Sequence, residues 1–188
     1  MLEFEKKIML TAEEYNAISL MRKNDNLPKI QTNYYFDTDD LSMNKKGITC
    51  RIRGENGKFV ATIKNHNRKH PDCSIEDDLV ENKEFDTKIF DTLGLRYQGE
   101  LVTRRVMIHK DSDCEIVIDK NTYGGVTDFE LEIEYCEGRE KVAQSLLEDI
   151  AKELVFAGLL TNKDEFLHRV GLCKSKSQRF FDRLKNKK

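Results

Sequence analysis

Glu130, Glu132 and Glu134 occupy every second position of the stretch DFELEIEY, and Arg51 and Arg53 do the same in ITCRIR. Side chains on a strand alternate faces, so each set lies on one side of its strand. The sorting recurs along the chain. Lys64 shares a face with Val60 and Thr62 in FVATIK, Asp119 with Glu115 and Val117 in CEIVID, and the opening LEFEKKIML groups Glu3, Glu5 and Lys7. The opposite faces are apolar: Ile48, Cys50 and Ile52, then Ile116 and Ile118, then Phe129, Leu131 and Ile133. A polar outer face is ordinary for a half-buried antiparallel sheet. This one instead carries full charges segregated by strand, basic in RIR and acidic in ELEIE. Three glutamates in a row repel unless a cation neutralises them, and neighbouring arginines invite an anion. Curled into a barrel with these faces inward, the sheet lines a lumen with carboxylates on one side and Arg and Lys on the other. Hard divalent ions such as Mg2+ or Mn2+ take carboxylate oxygens, and Arg forks and Lys point charges suit phosphate oxygens. The chemistry is that of a metal and polyphosphate site.

The elements that must position these residues are readable in outline. Thr11 with Glu14 three residues on forms a capping box for a helix whose apolar face is Tyr15, Ile18 and Met21. QTNYYFDTDD reads as a strand ending in an Asp-rich turn, LSMNKKG returns the chain, and GITCRIRGENGKFVATIKNH reads as a hairpin turning at Glu55-Asn56-Gly57. SIEDDLVENKEF is a helix-compatible acidic stretch, and TKIFDTLGL a short helix closed by Gly94. Three more strands follow from Leu101, then a long helix with Val142, Leu146, Ile150 and Leu154 at four-residue spacing and Gly158 as its stop. In the basic tail, residues 174–186, Phe180, Phe181 and Leu184 form one apolar patch, which reads as a docking helix. Tight turns between strands imply a mostly antiparallel sheet. The expectation is one α+β domain over residues 1–188 with its core at 2–166 and its helices, at Thr11, at Gly138 and in the tail, on the outside.

Composition narrows the partners. Across 188 residues, 32 basic and 34 acidic side chains leave a net charge of −2, so no global field favours nucleic acid or an anionic membrane. No run approaches the roughly 18 apolar residues of a membrane span, and Met1 leads directly into a charged strand, so the expectation is a cytoplasmic protein. Five scattered cysteines without a C-x-x-C pair read as reduced thiols, and His66, His70, His109 and His168 are too dispersed for a zinc set. NHNRKHPD reads as a solvated loop, and Gly124-Gly125 as a turn. A homodimer is compatible with the sequence, which sets no oligomeric state.

The ordered motifs resemble the CYTH family, also called triphosphate tunnel metalloenzymes. Its N-terminal E-x-E-x-K hallmark stands here as Glu3-Phe4-Glu5-Lys6-Lys7, followed in the family's order by YYFDT, RIR, TIK, TRR, IDK and ELEIE, over residues 2 to about 166. The resemblance implies an eight-stranded antiparallel closed β-barrel, a tunnel, that binds a triphosphate-containing small molecule and hydrolyses or cyclises it with Mg2+ or Mn2+. It implies Lys7, Arg51, Arg53, Lys64, Arg105 and Lys163 as triphosphate contacts. Glu3, Glu5, Asp119, Glu130 and Glu132 would hold metal or activate water, with Glu3, Glu5 and Lys7 the catalytic group. One departure is Thr103 where many members carry Lys; Arg105, which shares the face of Thr103, is favoured over Arg104 as the inward residue. Lys6, on the other face of its strand, is expected to be dispensable. Hydrolysis of inorganic triphosphate or a small organic triphosphate is the preferred reading, because no purine pocket is visible. An adenylate cyclase of the same family and a non-catalytic polyphosphate- or nucleotide-binding module are the alternatives. The motifs do not choose among tripolyphosphate, thiamine triphosphate and nucleotides.

Overall fold

The computed structural model describes residues 2–23, 27–66 and 73–186, apart from the side chains of Leu2, Glu3, His66 and Cys73. Eight strands carry the architecture: β1 (Leu2–Leu10), β2 (Lys29–Asp37), β3 (Ile48–Glu55), β4 (Lys58–His66), β5 (Cys73–Asn82), β6 (Arg96–Lys110), β7 (Cys114–Tyr123) and β8 (Val126–Tyr135). The helices are α1 (Ala12–Met21), α2 (Ser42–Lys45), α3 (Lys88–Thr92), α4 (Glu140–Phe156), α5 (Lys163–Leu167) and α6 (Lys176–Lys185). All strand pairings are antiparallel, in the order β1-β5-β4-β3-β2-β6-β7-β8. The order closes through β1, which pairs with β8 from Phe4 to Leu10 and with β5 from Leu2 to Phe4.

Alternation then does what the sequence demands. The apolar faces of β1, β7 and β8 point outward and pack under α1 and α4, where Ile8, Ile116, Ile118, Leu131, Ile133, Ile18, Leu147 and Leu154 are each fully buried. A second outer cluster joins Phe36, Cys50, Ile52 and Ala61 to Phe90 of α3 and to Leu95. The capping box at Thr11 and Glu14 forms on α1. The β3–β4 turn places Asn56 and Gly57 at φ 51° and 75°, the positive values that a two-residue hairpin turn requires. Tyr15 and Ile18 are buried as expected, whereas Met21 is exposed.

Two expectations are corrected. SIEDDLVENKEF lies mostly in strand β5, which pairs with β4 from Phe59 to His66 around a register shift at Ala61 and Thr62. Its acidic residues favour helix only weakly, and the unpaired edge of β4 outweighs that preference. The second correction concerns α6. It lies across one end of the barrel, with Phe180 and Phe181 packed on Tyr35, Leu101 and Tyr123, residues from the inward faces of β2, β6 and β7. Gly99 makes this fit possible: a Cβ there would stand 2.9 Å from the Phe180 ring, and its φ of 137° also favours glycine. The NHNRKHPD loop falls largely outside the described residues. Cys50, Cys114, Cys136 and Cys173 are free thiols. No described helix is long and apolar enough to cross a membrane.

Candidate functional site

The interior of the barrel is a charged cavity with an empty volume of about 600 Å3, open solvent at its mouth included. One wall is basic. β3 contributes Arg51 and Arg53 and β4 contributes Lys64, all lining the cavity. The opposite wall is acidic, built from Glu130, Glu132 and Glu134 of β8, Asp119 of β7 and Glu5 of β1. Lys7 and Arg105 stand within that acidic wall. Lys7 Nζ is 2.9 Å from Glu5 and 3.2 Å from Glu132. Arg105 forks onto Asp119 at 3.0 and 2.7 Å and also reaches Glu132. The choice between the two arginines is thereby settled, because Arg104 points away and donates to Tyr15 Oη at 3.1 Å.

Several members of the site were invisible as functional residues in the sequence. Glu76, on β5 in the helix-compatible acidic stretch, accepts from Arg51 at 2.6 Å and lies 3.4 Å from Lys64. Lys176, at the start of α6, is 2.8 Å from Asp119 and 2.9 Å from Glu132, and also contacts Glu130. Arg179, one turn on, bridges Asp128 at 2.9 Å and Glu130 at 2.8 Å. Thr103, the departure from the family motif, donates to Asn121 at 2.7 Å, and Asn121 in turn donates to Asp128 and Glu130. Alternation alone would have flagged Glu76 had β5 been recognised; no local motif marks Lys176.

Burial shapes the ionisation of these groups. Desolvation disfavours charge on Lys7, Arg105, Lys176 and Arg179, yet the facing carboxylates more than offset it and hold all four above their ordinary values. Burial likewise opposes ionisation of Glu130 and Glu132, but the Lys176 ammonium beside both keeps their carboxyls below the usual range. Glu76 is pushed up by burial and pulled down further by Arg51 and Lys64, to about 2. A carboxyl depressed from 4.5 to about 2 contributes stability fully above pH 4.5 and loses it as pH falls through 2. Denaturant midpoints measured from pH 7 to pH 2 should show this. The gap between wild type and Glu76→Gln, on the order of 3 kcal/mol at neutral pH, closes across that window.

Two carboxylate sets have the chemistry of a hard-cation site. One oxygen from each of Glu5, Glu132 and Glu134 lies within 4.8 Å of the others, and the same holds for Asp119, Glu130 and Glu132. The sets share Glu132, and all five residues offer carboxylate oxygens on strands, which fits a hard cation such as Mg2+ or Mn2+. Ammonium groups touch both sets, Lys7 at Glu5 and Glu132 and Lys176 at Asp119, Glu130 and Glu132; the second set is wholly buried and the first is more open. Glu134 thus joins the expected ligands. The Glu3 side chain lies outside the described residues. Lys163 is not part of the site: in α5 it is exposed and 3.3 Å from Glu148 of α4. Lys163→Ala is therefore expected to leave both thermal stability and any turnover within about twofold of wild type in a melt and a phosphate-release assay.

The interior of this antiparallel barrel opposes guanidinium and ammonium groups to carboxylates, a lining suited to charged rather than apolar ligands. The chain belongs to the CYTH domain family, whose sequence pattern it matches over residues 1–160. It is 31% identical over 154 residues to YjbK of Bacillus subtilis (strain 168), a candidate triphosphatase, covering 74% of this chain and 80% of that one. Among solved structures, a candidate adenylate cyclase from Bacillus halodurans superposes with a TM-score of 0.62 at 24% identity, over 79% of this chain and 89% of the other. A Hippeastrum protein, HpAC1, named as a candidate adenylyl cyclase and described as having a dominant triphosphatase activity, gives a TM-score of 0.60 at 19% identity, over 81% and 86%. These two likenesses establish the fold.

Proposed function

We propose that the protein is a metal-dependent triphosphatase that hydrolyses inorganic triphosphate, or a small organic triphosphate, within the barrel. The observation that carries this reading is the division of one cavity into a wall of Arg51, Arg53 and Lys64 and a facing wall of Glu5, Glu132 and Glu134. A polyphosphate chain lying between them meets donors on one side and, on the other, carboxylates that can share its oxygens only through a cation. The family relationship to YjbK, a candidate triphosphatase, points the same way.

In this reading the basic wall holds the chain and neutralises its charge, which is most of what phosphoryl transfer asks of a protein. Arg51 and Lys64 are held in place by Glu76, so the phosphates meet a preorganised surface. Glu132, with Glu5 and Glu134, would hold Mg2+ or Mn2+, which neutralises phosphate oxygens and acidifies a bound water when present. Lys7, fixed between Glu5 and Glu132, keeps those two carboxylates oriented and presents positive charge to the phosphates. Water attacks the terminal phosphorus, the P–O bond to the neighbouring phosphate breaks, and phosphate and pyrophosphate leave.

Cyclisation of a nucleotide needs a seat for the base, and Tyr35 is the one aromatic residue lining the cavity among the described residues. The test is phosphate release from tripolyphosphate with Mg2+ and with Mn2+, beside a panel of organic triphosphates. Product formation from tripolyphosphate supports the reading. Cyclic nucleotide from ATP would replace it with the cyclase, and binding without product with a carrier module.

A further inference from the structure

A cation of the protein's own already stands at the buried carboxylate set. Lys176 Nζ lies 2.8 Å from Asp119 and 2.9 Å from Glu132 and also contacts Glu130, so each of its three N–H donors has a carboxylate to itself. These are the same three residues whose oxygens lie within 4.8 Å of one another, close enough to share a metal ion. Asp119 and Glu130 are fully buried, and the Lys176 side chain is only 11% exposed. Arg105, on Asp119 and Glu132, and Arg179, on Glu130, bring the cations at this set to three, facing three carboxylates. A divalent ion added there would meet positive charge with no carboxylate left to offset it, in a buried space where such repulsion is least screened.

The set of Glu5, Glu132 and Glu134 is arranged differently. Lys7 reaches two of its members, Glu5 and Glu132, and Glu134 is exposed, which leaves this set within reach of ions from solvent. The fold also holds Lys176 where it stands. It is the first residue of α6, and that helix is fixed on both sides of it. Ser175 and Gln178 close a capping box, and the Ser177 hydroxyl bonds Thr49 at 2.9 Å. Arg179 bridges Asp128 and Glu130, while Phe180 and Phe181 pack on Tyr35, Leu101 and Tyr123. Withdrawing the ammonium therefore means breaking three buried ion pairs or lifting the start of the helix. A cation supplied by the chain is present at any metal concentration, whereas a divalent ion has to be captured from solution against it.

We propose that the Lys176 ammonium is the resident cation of the Asp119, Glu130 and Glu132 set, so that the barrel takes one divalent ion, at Glu5, Glu132 and Glu134, and not two. Lys176 is then the residue that sets the metal stoichiometry, and this role rests on the metal-dependent reading given above.

The test counts the Mn2+ ions bound by the full-length protein without substrate, from the loss of the free-ion EPR signal, beside thermal melts with and without Mn2+. Wild type and Lys176→Arg, which keeps a cation in place, should bind one ion. Lys176→Met should bind two, the second at least about 100-fold more tightly than any second ion in wild type. Its melting point, lowered without metal, should rise more on adding Mn2+ than that of wild type, because the new ion binds only the folded state. Two further variants retain Lys176 and decide the matter should Lys176→Met not fold. Glu134→Gln removes a donor from the open set alone and should weaken the single ion by at least about tenfold, whereas Asp119→Asn, confined to the buried set, should weaken it less. A greater loss from Asp119→Asn would place the ion in the set of Lys176 and overturn the proposal. Two ions of similar affinity in wild type, or one ion in a folded Lys176→Met protein, would overturn the role of Lys176 while leaving the metal-dependent reading in place. No Mn2+ bound by wild type or by any variant would overturn both.

Discussion

Glu132→Gln should reduce phosphate release from tripolyphosphate by at least about 100-fold, the upper end of what even the outer partners of metal ligands cost when removed. Glu132 is singled out because it belongs to both candidate carboxylate sets, so a metal held in either set loses a donor. It is also where three cations converge, with Lys7 at 3.2 Å, Lys176 at 2.9 Å and Arg105 beside them. Removing one partner of a buried pair typically costs about 3–5 kcal/mol. Here the cost falls near the lower figure, since Arg105 keeps Asp119 and Lys176 keeps both Asp119 and Glu130. Melts run beside the assay separate the two effects. A folded Glu132→Gln protein with wild-type turnover would remove Glu132 from the site.

Lys176→Met should produce the largest loss of stability, about 3–5 kcal/mol at neutral pH, because it removes one cation from three buried carboxylates at once, leaving Arg105 on Asp119 and Glu132 and Arg179 on Glu130. The sign of its pH dependence distinguishes this cause from simple loss of packing. In the wild type, Glu130 and Glu132 titrate below 4.5, so their contribution is complete at neutral pH and lost in acid. Without the ammonium, their folded pKa values rise and part of that contribution is lost, the rest being kept by Arg179 beside Glu130 and by Lys7 and Arg105 beside Glu132. The stability gap between wild type and variant is therefore widest near pH 7 and narrows below about pH 4.5, read by denaturant titration. A gap that stays constant with pH would mean that Lys176 acts through its hydrocarbon stem alone.

Much of this site was legible because strand alternation is unambiguous where one face is apolar. Arg51, Arg53, Lys64, Asp119, Glu130 and Glu132 all face inward as the period of two requires, and Arg105 follows from sharing the parity of Thr103. Glu76 was obscured because β5 carries acids on both faces, Glu76 inward and Asp77 outward, so no apolar stripe marks its period. Lys176 and Arg179 were missed for a different reason. Their helix was readable from Phe180 and Phe181, but amphipathicity says that a face is covered and not which surface covers it. The destination depends on an inward apolar floor of Tyr35, Leu101 and Tyr123, contributed by β2 and by the β6–β7 hairpin far along the chain from it. Lys163 illustrates the converse. A basic residue placed after the long helix by family likeness alone lies on the surface, paired with Glu148.

On the proposed function, one cavity holds a triphosphate against its basic wall and a divalent ion against its acidic wall. The most direct measurement is a crystal structure with Mn2+ and a non-hydrolysable triphosphate analogue, using the anomalous signal of manganese to place the ion. The expected result is phosphate oxygens on Arg51, Arg53 and Lys64, and manganese bound by Glu132 together with other carboxylates of β1, β7 or β8. An analogue bound outside the barrel, or a cavity empty of both at saturating concentrations, would contradict it.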